Sequence, residues 1–130
     1  MNAETILHGA VGVLMRRGRC RNDFEKSDGR VCQLGALAVA GGFDADIWRL
    51  WRDLDVEELD DSALVLVEAA RILAKVEAPL QPVHEMSLER LVSLLADSND
   101  IATDEQIFDF LAKAAHEAAS RLAEKAGAGA

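Results

Sequence analysis

Apolar residues recur along this chain at spacings of three and four, which is the spacing of amphipathic helices. No segment alternates between apolar and polar residues for long enough to predict a β-strand. The first helix is predicted over residues 3–17, with Asn2 as its N-cap and Gly18 directly after its end. Gly9 and Gly12 lie inside this helix, where each costs about 1 kcal/mol relative to Ala. We therefore expect a neighbouring helix to pack closely at both glycines.

The most apolar segment is VCQLGALAVAG, residues 31–41, in which Gln33 is the only side chain that is polar beyond a thiol. Its Ala and Leu content predicts a helix over residues 31–40, which Gly41 and Gly42 end. A helix that is apolar on every side lies either in a membrane or among other helices. Such a segment spans only about 16 Å at 1.5 Å per residue, which is too short to cross a bilayer. We therefore predict that it is the central helix of the core.

Two further helices are predicted in the middle of the chain. A short helix is expected over residues 45–54, with Asp44 as its cap. A longer helix follows, which Asp61 or Ser62 caps and which runs to Val76.

Another two helices are predicted in the C-terminal third. The first starts after the cap Ser87 and ends at the polar break DSND, residues 97–100. The second starts with a capping box formed by Thr103 and Gln106. Residues 126–130, after its end, are predicted to be disordered.

The connecting segments and the length of the chain indicate how many domains it forms. Residues 18–30 are polar and contain the turn signal Asp28-Gly29, which allows a short hairpin. No linker or internal repeat divides the chain, and 130 residues of which half are apolar suffice for one core. The sequence therefore predicts a single compact all-α domain, residues 1–125, of five or six helices around the short buried central helix.

The net charge of the chain favours some kinds of binding partner over others. Fourteen basic residues stand against twenty-three acidic ones, which gives a formal net charge of −9. This charge argues against general nucleic-acid binding, which needs Lys and Arg to neutralise phosphates, and it suits a protein partner with a basic surface. The apolar faces of so many helices also allow a homodimer.

Cysteine content and the N-terminus indicate the compartment. Cys20 and Cys32 are too few for a secreted disulfide framework. Glu4 lies where a signal peptide would have Lys or Arg. Since no apolar run reaches the roughly 20 residues that cross a bilayer, we expect a cytoplasmic protein with reduced thiols and no membrane segment.

Two local patterns together resemble a known family. VCQLGAL follows an Asp-Gly turn and resembles the Cys-x-x-Gly-Ala core of a family of small uncharacterised actinobacterial and actinophage proteins. SNDIATDEQIFDFLAKAA resembles the Asn-Asp break and the Thr-capped helix of the same family, although Ser98 stands where that pattern has a Trp. The resemblance extends over most of the chain, roughly residues 3–124. It implies an all-helical domain of unknown function, without an established activity, and a phage or actinobacterial origin.

Cys32 is the main candidate for catalysis. A thiol in the first turn of a helix feels the positive end of the helix dipole, which lowers its pKa. With a histidine as base and Asn99 or Asp100 to orient that base, Cys32 would serve a cysteine-dependent hydrolase or transferase. The candidate bases are His8, His84 and His116. The competing interpretation is a small buried side chain at a helix contact, which the apolar segment favours. Because the cysteines and histidines fit no zinc spacing, no metal site is predicted.

An acidic stretch is the main candidate for a partner surface. Residues 44–61 contain eight acidic residues against Arg49 and Arg52, a net charge of −6. No Asp-x-Asp-x-Asp-Gly loop is present, so calcium binding is not predicted. An aromatic side chain ringed by charge is a typical interface anchor, although Trp48 and Trp51 also suit the core, Trp48 more so. The predicted partner-binding residues are Trp51, Asp55, Glu57, Glu58, Asp60 and Asp61. The competing interpretation is a solvated acidic face.

Four arginines cluster after the first helix, within RRGRCR. They are Arg16, Arg17, Arg19 and Arg21. A weak nucleic-acid patch is one interpretation of this cluster. The other is that the arginines complement the C-terminal end of a helix dipole and pair with the acidic residues of the protein itself.

These observations favour a non-enzymatic protein–protein interaction or accessory protein that binds a cytosolic partner through the acidic, Trp-bearing stretch. The alternatives are an enzyme that uses Cys32 and a weak nucleic-acid binder that uses residues 16–21. No cofactor is part of any of these hypotheses.

Overall fold

The computed structural model describes residues 1–128 and consists of six α-helices. The helices are α1 (Ala3–Arg17), α2 (Gln33–Ala40), α3 (Ile47–Trp51), α4 (Asp61–Glu77), α5 (Leu88–Ile101) and α6 (Asp104–Ala128). A 3₁₀ turn, Val56–Glu58, lies between α3 and α4. Residues 1–128 contain no strand, which confirms the predicted all-α fold of five or six helices. None of the helices in this range is both long and apolar enough to cross a membrane.

The apolar segment forms the centre of the molecule, as its composition predicts. Every residue from 31 to 38 is buried, and α2 packs against α1, α3, α4 and α5. At Gly9, α1 comes so close to α2 that a Cβ would lie 3.0 Å from the Cβ of Ala40. The expectation of a close helix contact at Gly12 is wrong, because the atom nearest to a Cβ there belongs to Arg16 of the same helix.

Three predicted helix starts are confirmed by their hydrogen bonds. Asn2 Oδ1 accepts a backbone N–H from the first turn of α1 at 2.9 Å. Ser87 Oγ accepts one from the first turn of α5 at 3.3 Å. Thr103 and Gln106 form the capping box, in which each side chain accepts the backbone N–H of the other, at 3.2 and 2.9 Å.

The starts of α3 and α4 differ from the prediction. α3 covers only Ile47–Trp51, and no side chain caps it, so the expectation for Asp44 is wrong. α4 is capped by Asp60, whose Oδ1 accepts an N–H of the first turn at 2.9 Å, rather than by Asp61 or Ser62. Asp60 has the extended backbone that an N-cap requires, whereas the two residues after it are already helical.

The ends of α5 and α6 also differ from the prediction. α5 does not break at residues 97–100 but continues to Ile101. Asn favours turns because its side chain competes for local backbone groups, yet the buried amide of Asn99 bonds to groups far away in the sequence. α6 continues to Ala128. The last part of the predicted disordered tail, residues 129–130, lies outside the described residues.

The connection between α1 and α2, residues 18–31, is called the 18–31 loop below. It contains a minimal hairpin around the Asp28-Gly29 turn, in which Glu25 and Val31 form an isolated antiparallel bridge and the Lys26 N–H donates to the Arg30 carbonyl at 2.8 Å. A parallel bridge also joins Val31 to Arg19. The Cys20 N–H donates to the Val31 carbonyl at 2.9 Å. The loop therefore folds back over the start of α2, where the motif residues lie.

Candidate functional site

The N-terminus of α2 is built from the Cys-x-x-Gly-Ala motif. Cys32 is the N-cap, and its Sγ accepts the Gly35 N–H at 3.4 Å. The Cys32 N–H donates to the Phe24 carbonyl of the 18–31 loop at 3.1 Å. A Cβ at position 35 would overlap that carbonyl oxygen, so the loop can lie against α2 only because residue 35 is Gly. The cysteine and the glycine of the motif thus have structural roles.

Asn99 clamps the same helix start from α5. Its Oδ1 accepts the Gln33 N–H at 3.0 Å, and its Nδ2 donates to the Cys20 carbonyl at 2.9 Å. The side chain is completely buried. The two sequence motifs are therefore in direct contact, and Asn99 orients the backbone of α2 and of the 18–31 loop rather than a catalytic histidine.

Gln33 connects three helices from inside the core. Its Nε2 donates to Glu77 Oε1 on α4 at 3.0 Å and to the Leu95 carbonyl on α5 at 2.8 Å. Two oxygens of this group, Gln33 Oε1 and Glu77 Oε2, have no hydrogen-bond partner among the described residues. Burial raises the pKa of Glu77 to about 7, although the nearby Ser98 hydroxyl and the hydrogen bond from Gln33 favour the ionised carboxylate. Burial thus favours the protonated form of Glu77.

The cluster of four arginines does not form an open basic patch. Arg19 has a buried side chain that pairs with Asp104 at 2.6 Å and donates to the carbonyls of Asn99 and Ala102. Arg21 donates to the carbonyls of Asp100 and Ala102.

The remaining two arginines differ from each other. Arg17 pairs with Glu25 and donates to the Gly29 carbonyl at 2.7 Å. Arg16 is exposed and forms no ion pair within residues 1–128. Three of the four thus bind groups of the protein itself, and Arg19 and Arg21 complement the C-terminal carbonyls of α5.

A cleft of about 380 Å³ opens beside this junction. It lies between the 18–31 loop, α3 and α5. The residues that line it are Asn22, Asp23, Phe24, Cys32, Arg49, Arg52, Ala96 and Asp100. None of these residues is a histidine, so this part of the described chain offers Cys32 no imidazole base.

The chemistry of Cys32 does not fit catalysis. Burial raises the pKa of its thiol to about 12, although N–H groups of the helix start favour the thiolate. His84 lies in the connection between α4 and α5. Partial burial and the charges of Arg121, Arg71 and Lys75 lower the pKa of His84. Cys32 and Asn99 both hold the start of α2, whereas His84 does not line the cleft beside them.

The acidic stretch is exposed, but its tryptophans are not. Trp48 is fully buried and donates its Nε1–H to the Leu34 carbonyl at 2.8 Å. Trp51 is only 6% exposed and packs edge-on against Trp48 and Phe43. The Trp51 ring is therefore not exposed as a surface anchor would be, and its role in partner binding stays a prediction. The exposed apolar side chain of α3 is instead Leu50, at 63%.

The carboxylates of residues 53–61, called the acidic segment below, all face solvent. They are Asp53, Asp55, Glu57, Glu58, Asp60 and Asp61. Within residues 1–128 none of them forms an ion pair. Asp60 has a second role as the cap of α4.

Sequence reasoning missed two parts of the site. The hydrogen bond between Gln33 and Glu77 could have been anticipated in part, because a lone polar side chain in an apolar run needs a buried hydrogen-bond partner. No sequence pattern could predict that Arg49 and Arg52 lie beside the 18–31 loop, since their position depends on how α3 packs.

The fold and the site define a small all-helical domain whose central helix starts at a thiol cap and an asparagine clamp. The chain belongs to the family described as "Family of unknown function (DUF6197)", whose model matches residues 1–117. The expected membership of an uncharacterised family is thereby confirmed, and the phage or actinobacterial origin stays a prediction. No curated protein and no solved structure matches the chain.

Proposed function

We propose that this protein is a non-enzymatic binding protein that contacts a basic protein partner through the acidic segment. The observation that carries this proposal is that six exposed carboxylates within nine residues form no ion pair inside residues 1–128. A concentrated negative surface attracts a partner of opposite charge and accelerates their association. The exposed side chain of Leu50, on the helix before the segment, adds apolar area for contact.

The alternative of a cysteine-dependent enzyme loses its support from the site. The Cys32 thiol is protonated at neutral pH and is 3% exposed. A nucleophilic cysteine instead needs a lowered pKa and access to its substrate. The arginine cluster likewise gives little support to nucleic-acid binding, because three of its four side chains bind groups of the protein itself.

We place the protein in the cytoplasm of a phage-infected or actinobacterial cell. Two free cysteines, both buried, suit a reducing compartment. The partner is a different protein rather than a second copy joined through the same segment, since two negative segments repel each other.

Charge reversal of the acidic segment tests the proposal. The test variant is Asp55→Lys/Glu57→Lys/Glu58→Lys. The control variant reverses three exposed carboxylates elsewhere, Glu68→Lys/Glu85→Lys/Asp97→Lys. Each variant changes the formal charge from −9 to −3, because three reversals add six charges.

The probe is a short synthetic Lys/Arg-rich amphipathic helix, titrated calorimetrically at two salt concentrations. We expect the natural protein and the control variant to bind it with similar affinity, and the test variant to bind at least roughly tenfold more weakly. Equal weakening in both variants would show that net charge alone attracts the peptide, and it would overturn the assignment to the acidic segment.

A further inference from the structure

We propose that the cleft between the 18–31 loop and α3 binds a small organic anion, a carboxylate or a phosphate carried on a compact apolar body. This site is independent of the acidic segment and of its partner. The cleft has a volume of about 380 Å³ and takes its walls from the loop, the start of α2, α3 and α5. Pockets that hold small molecules occupy this range of volumes and combine an apolar floor with a few convergent polar groups.

Two guanidinium groups form one wall of the cleft. Arg49 and Arg52 are three residues apart at α3, so they extend from the same side. The Arg49 guanidinium lies 5.5 Å from the centre of the Phe24 ring and 3.4 Å from Asp23 Oδ1. Stacking and ion pairing thus hold it in place before a ligand arrives.

Arg52 is the cation of the cleft that is left for a ligand. Of the two carboxylates that line the cleft, Asp23 forms ion pairs with Arg49 and with Lys26. Asp100 forms no ion pair within residues 1–128, and its Oδ1 accepts the Asn22 N–H at 2.9 Å and Asn99 Nδ2 at 3.3 Å. Arg52 forms no ion pair within residues 1–128. Its planar fork of donors matches a carboxylate or a phosphate, with which it forms two parallel hydrogen bonds.

Three of the eight residues that line the cleft can contact an apolar body. Phe24, Cys32 and Ala96 contribute an aromatic ring, a protonated thiol and a methyl group. The opposite rim is fixed, because Asn22 has a left-handed backbone with φ of 65° and its N–H is held by Asp100.

Titration of the full-length, ¹⁵N-labelled protein with three small probes tests the site. Benzoate and phenyl phosphate present the two anions on the same ring, and benzamide is their neutral counterpart. We expect saturable amide shifts at residues 22–24 and 49–52 with at least one anion and none with benzamide. The anion that binds more tightly identifies the headgroup.

Substitutions locate the binding. Arg52→Gln should weaken the anion roughly tenfold, whereas Arg16→Gln, which removes an equally exposed guanidinium on α1, should leave the affinity unchanged. Ala96→Leu fills the floor and should also weaken binding without changing the charge. The dispersion of the amide spectrum verifies that each variant is folded. Absence of saturable shifts with both anions, equal binding of benzamide, or unchanged affinity of Arg52→Gln would each overturn the proposal.

Discussion

The backbone N–H of Gln33 donates to Asn99 Oδ1 at 3.0 Å across 66 positions of sequence. This bond joins the first residue of the central helix to the last turn of α5. The side-chain Nδ2 of Asn99 also donates to the Cys20 carbonyl, so Asn99 fixes both the start of α2 and the loop beside it. The site is thus organised by a buried amide rather than by the cysteine.

Replacement of Asn99 by Ala should destabilise the fold strongly. It leaves the Gln33 N–H and the Cys20 carbonyl unpaired inside the core, which should lower the free energy of unfolding by about 2–4 kcal/mol. Urea denaturation followed by circular dichroism measures the change. Asp97→Ala, at an exposed position two residues earlier, is the control and should stay within about 0.5 kcal/mol. A loss of stability no larger than that of the control would contradict the clamp.

The close approach of the loop to α2 predicts that Gly35→Ala is harmful. The new methyl group overlaps the Phe24 carbonyl, so the loop must move, and the free energy of unfolding should fall by about 1–3 kcal/mol. Gly127→Ala is the matched control, because Gly127 lies in α6 with open space around it. That variant should be neutral or stabilising by up to about 1 kcal/mol. If the two variants melt alike, the loop does not lie against α2 as described.

The thiol of Cys32 should react slowly. In a Cys20→Ser variant, Cys32 is the remaining thiol, and burial raises its pKa to about 12. Iodoacetamide at neutral pH should therefore modify the folded protein on the order of a hundredfold more slowly than the urea-unfolded chain. Mass spectrometry of quenched samples gives both rates. Rapid labelling of the folded protein would instead make catalysis the leading hypothesis for this residue.

The raised pKa of Glu77 should make the free energy of unfolding depend on pH. Its pKa rises from 4.5 to about 7 on folding, so between these values the folded chain holds a proton that the unfolded chain has lost. Stability is therefore highest below about pH 4.5 with respect to this group, and it falls as pH rises, with the loss complete above pH 7. The total loss should be on the order of 3 kcal/mol, since one pKa unit corresponds to about 1.4 kcal/mol.

Glu77→Gln separates this effect from other titrations. The new amide keeps the acceptor for Gln33 Nε2 and supplies a donor for the unpaired Gln33 Oε1. We expect the variant to be more stable than the natural protein at pH 8 and to lose the decline between pH 4.5 and 7. Glu68→Gln, at an exposed position of the same helix, should keep the decline. Urea unfolding at a series of pH values distinguishes these outcomes, and an unchanged pH profile in Glu77→Gln would contradict the assignment.

Sequence reasoning succeeded where the controlling contacts are local. The period of apolar residues and the caps at Asn2, Ser87 and Thr103 depend on neighbours within one or two turns, so they located α1, α5 and α6. The burial of α2 followed from composition and length, because a helix without a polar face that is too short to cross a bilayer must pack among other helices.

It failed where a tertiary contact decides the outcome. Asn99 has the local preferences of a turn residue, but partners on two other elements hold it within a helix. Trp51 lies among acidic residues in sequence, yet its ring packs against Trp48 and Phe43 inside. The cleft depends on the packing of Arg49 and Arg52 beside the 18–31 loop, which no spacing rule encodes.

The clamp at Asn99 also bears on how the chain is made. The helix at the centre of the molecule receives its last capping contact from a residue translated 66 positions later. When a ribosome has translated only the first two-thirds of the protein, the apolar segment is exposed and its Gln33 N–H still lacks its acceptor Asn99. Nascent chains and N-terminal fragments that stop before position 99 should accordingly remain unstructured and depend on chaperones, and native structure should arise in one cooperative step near the end of synthesis.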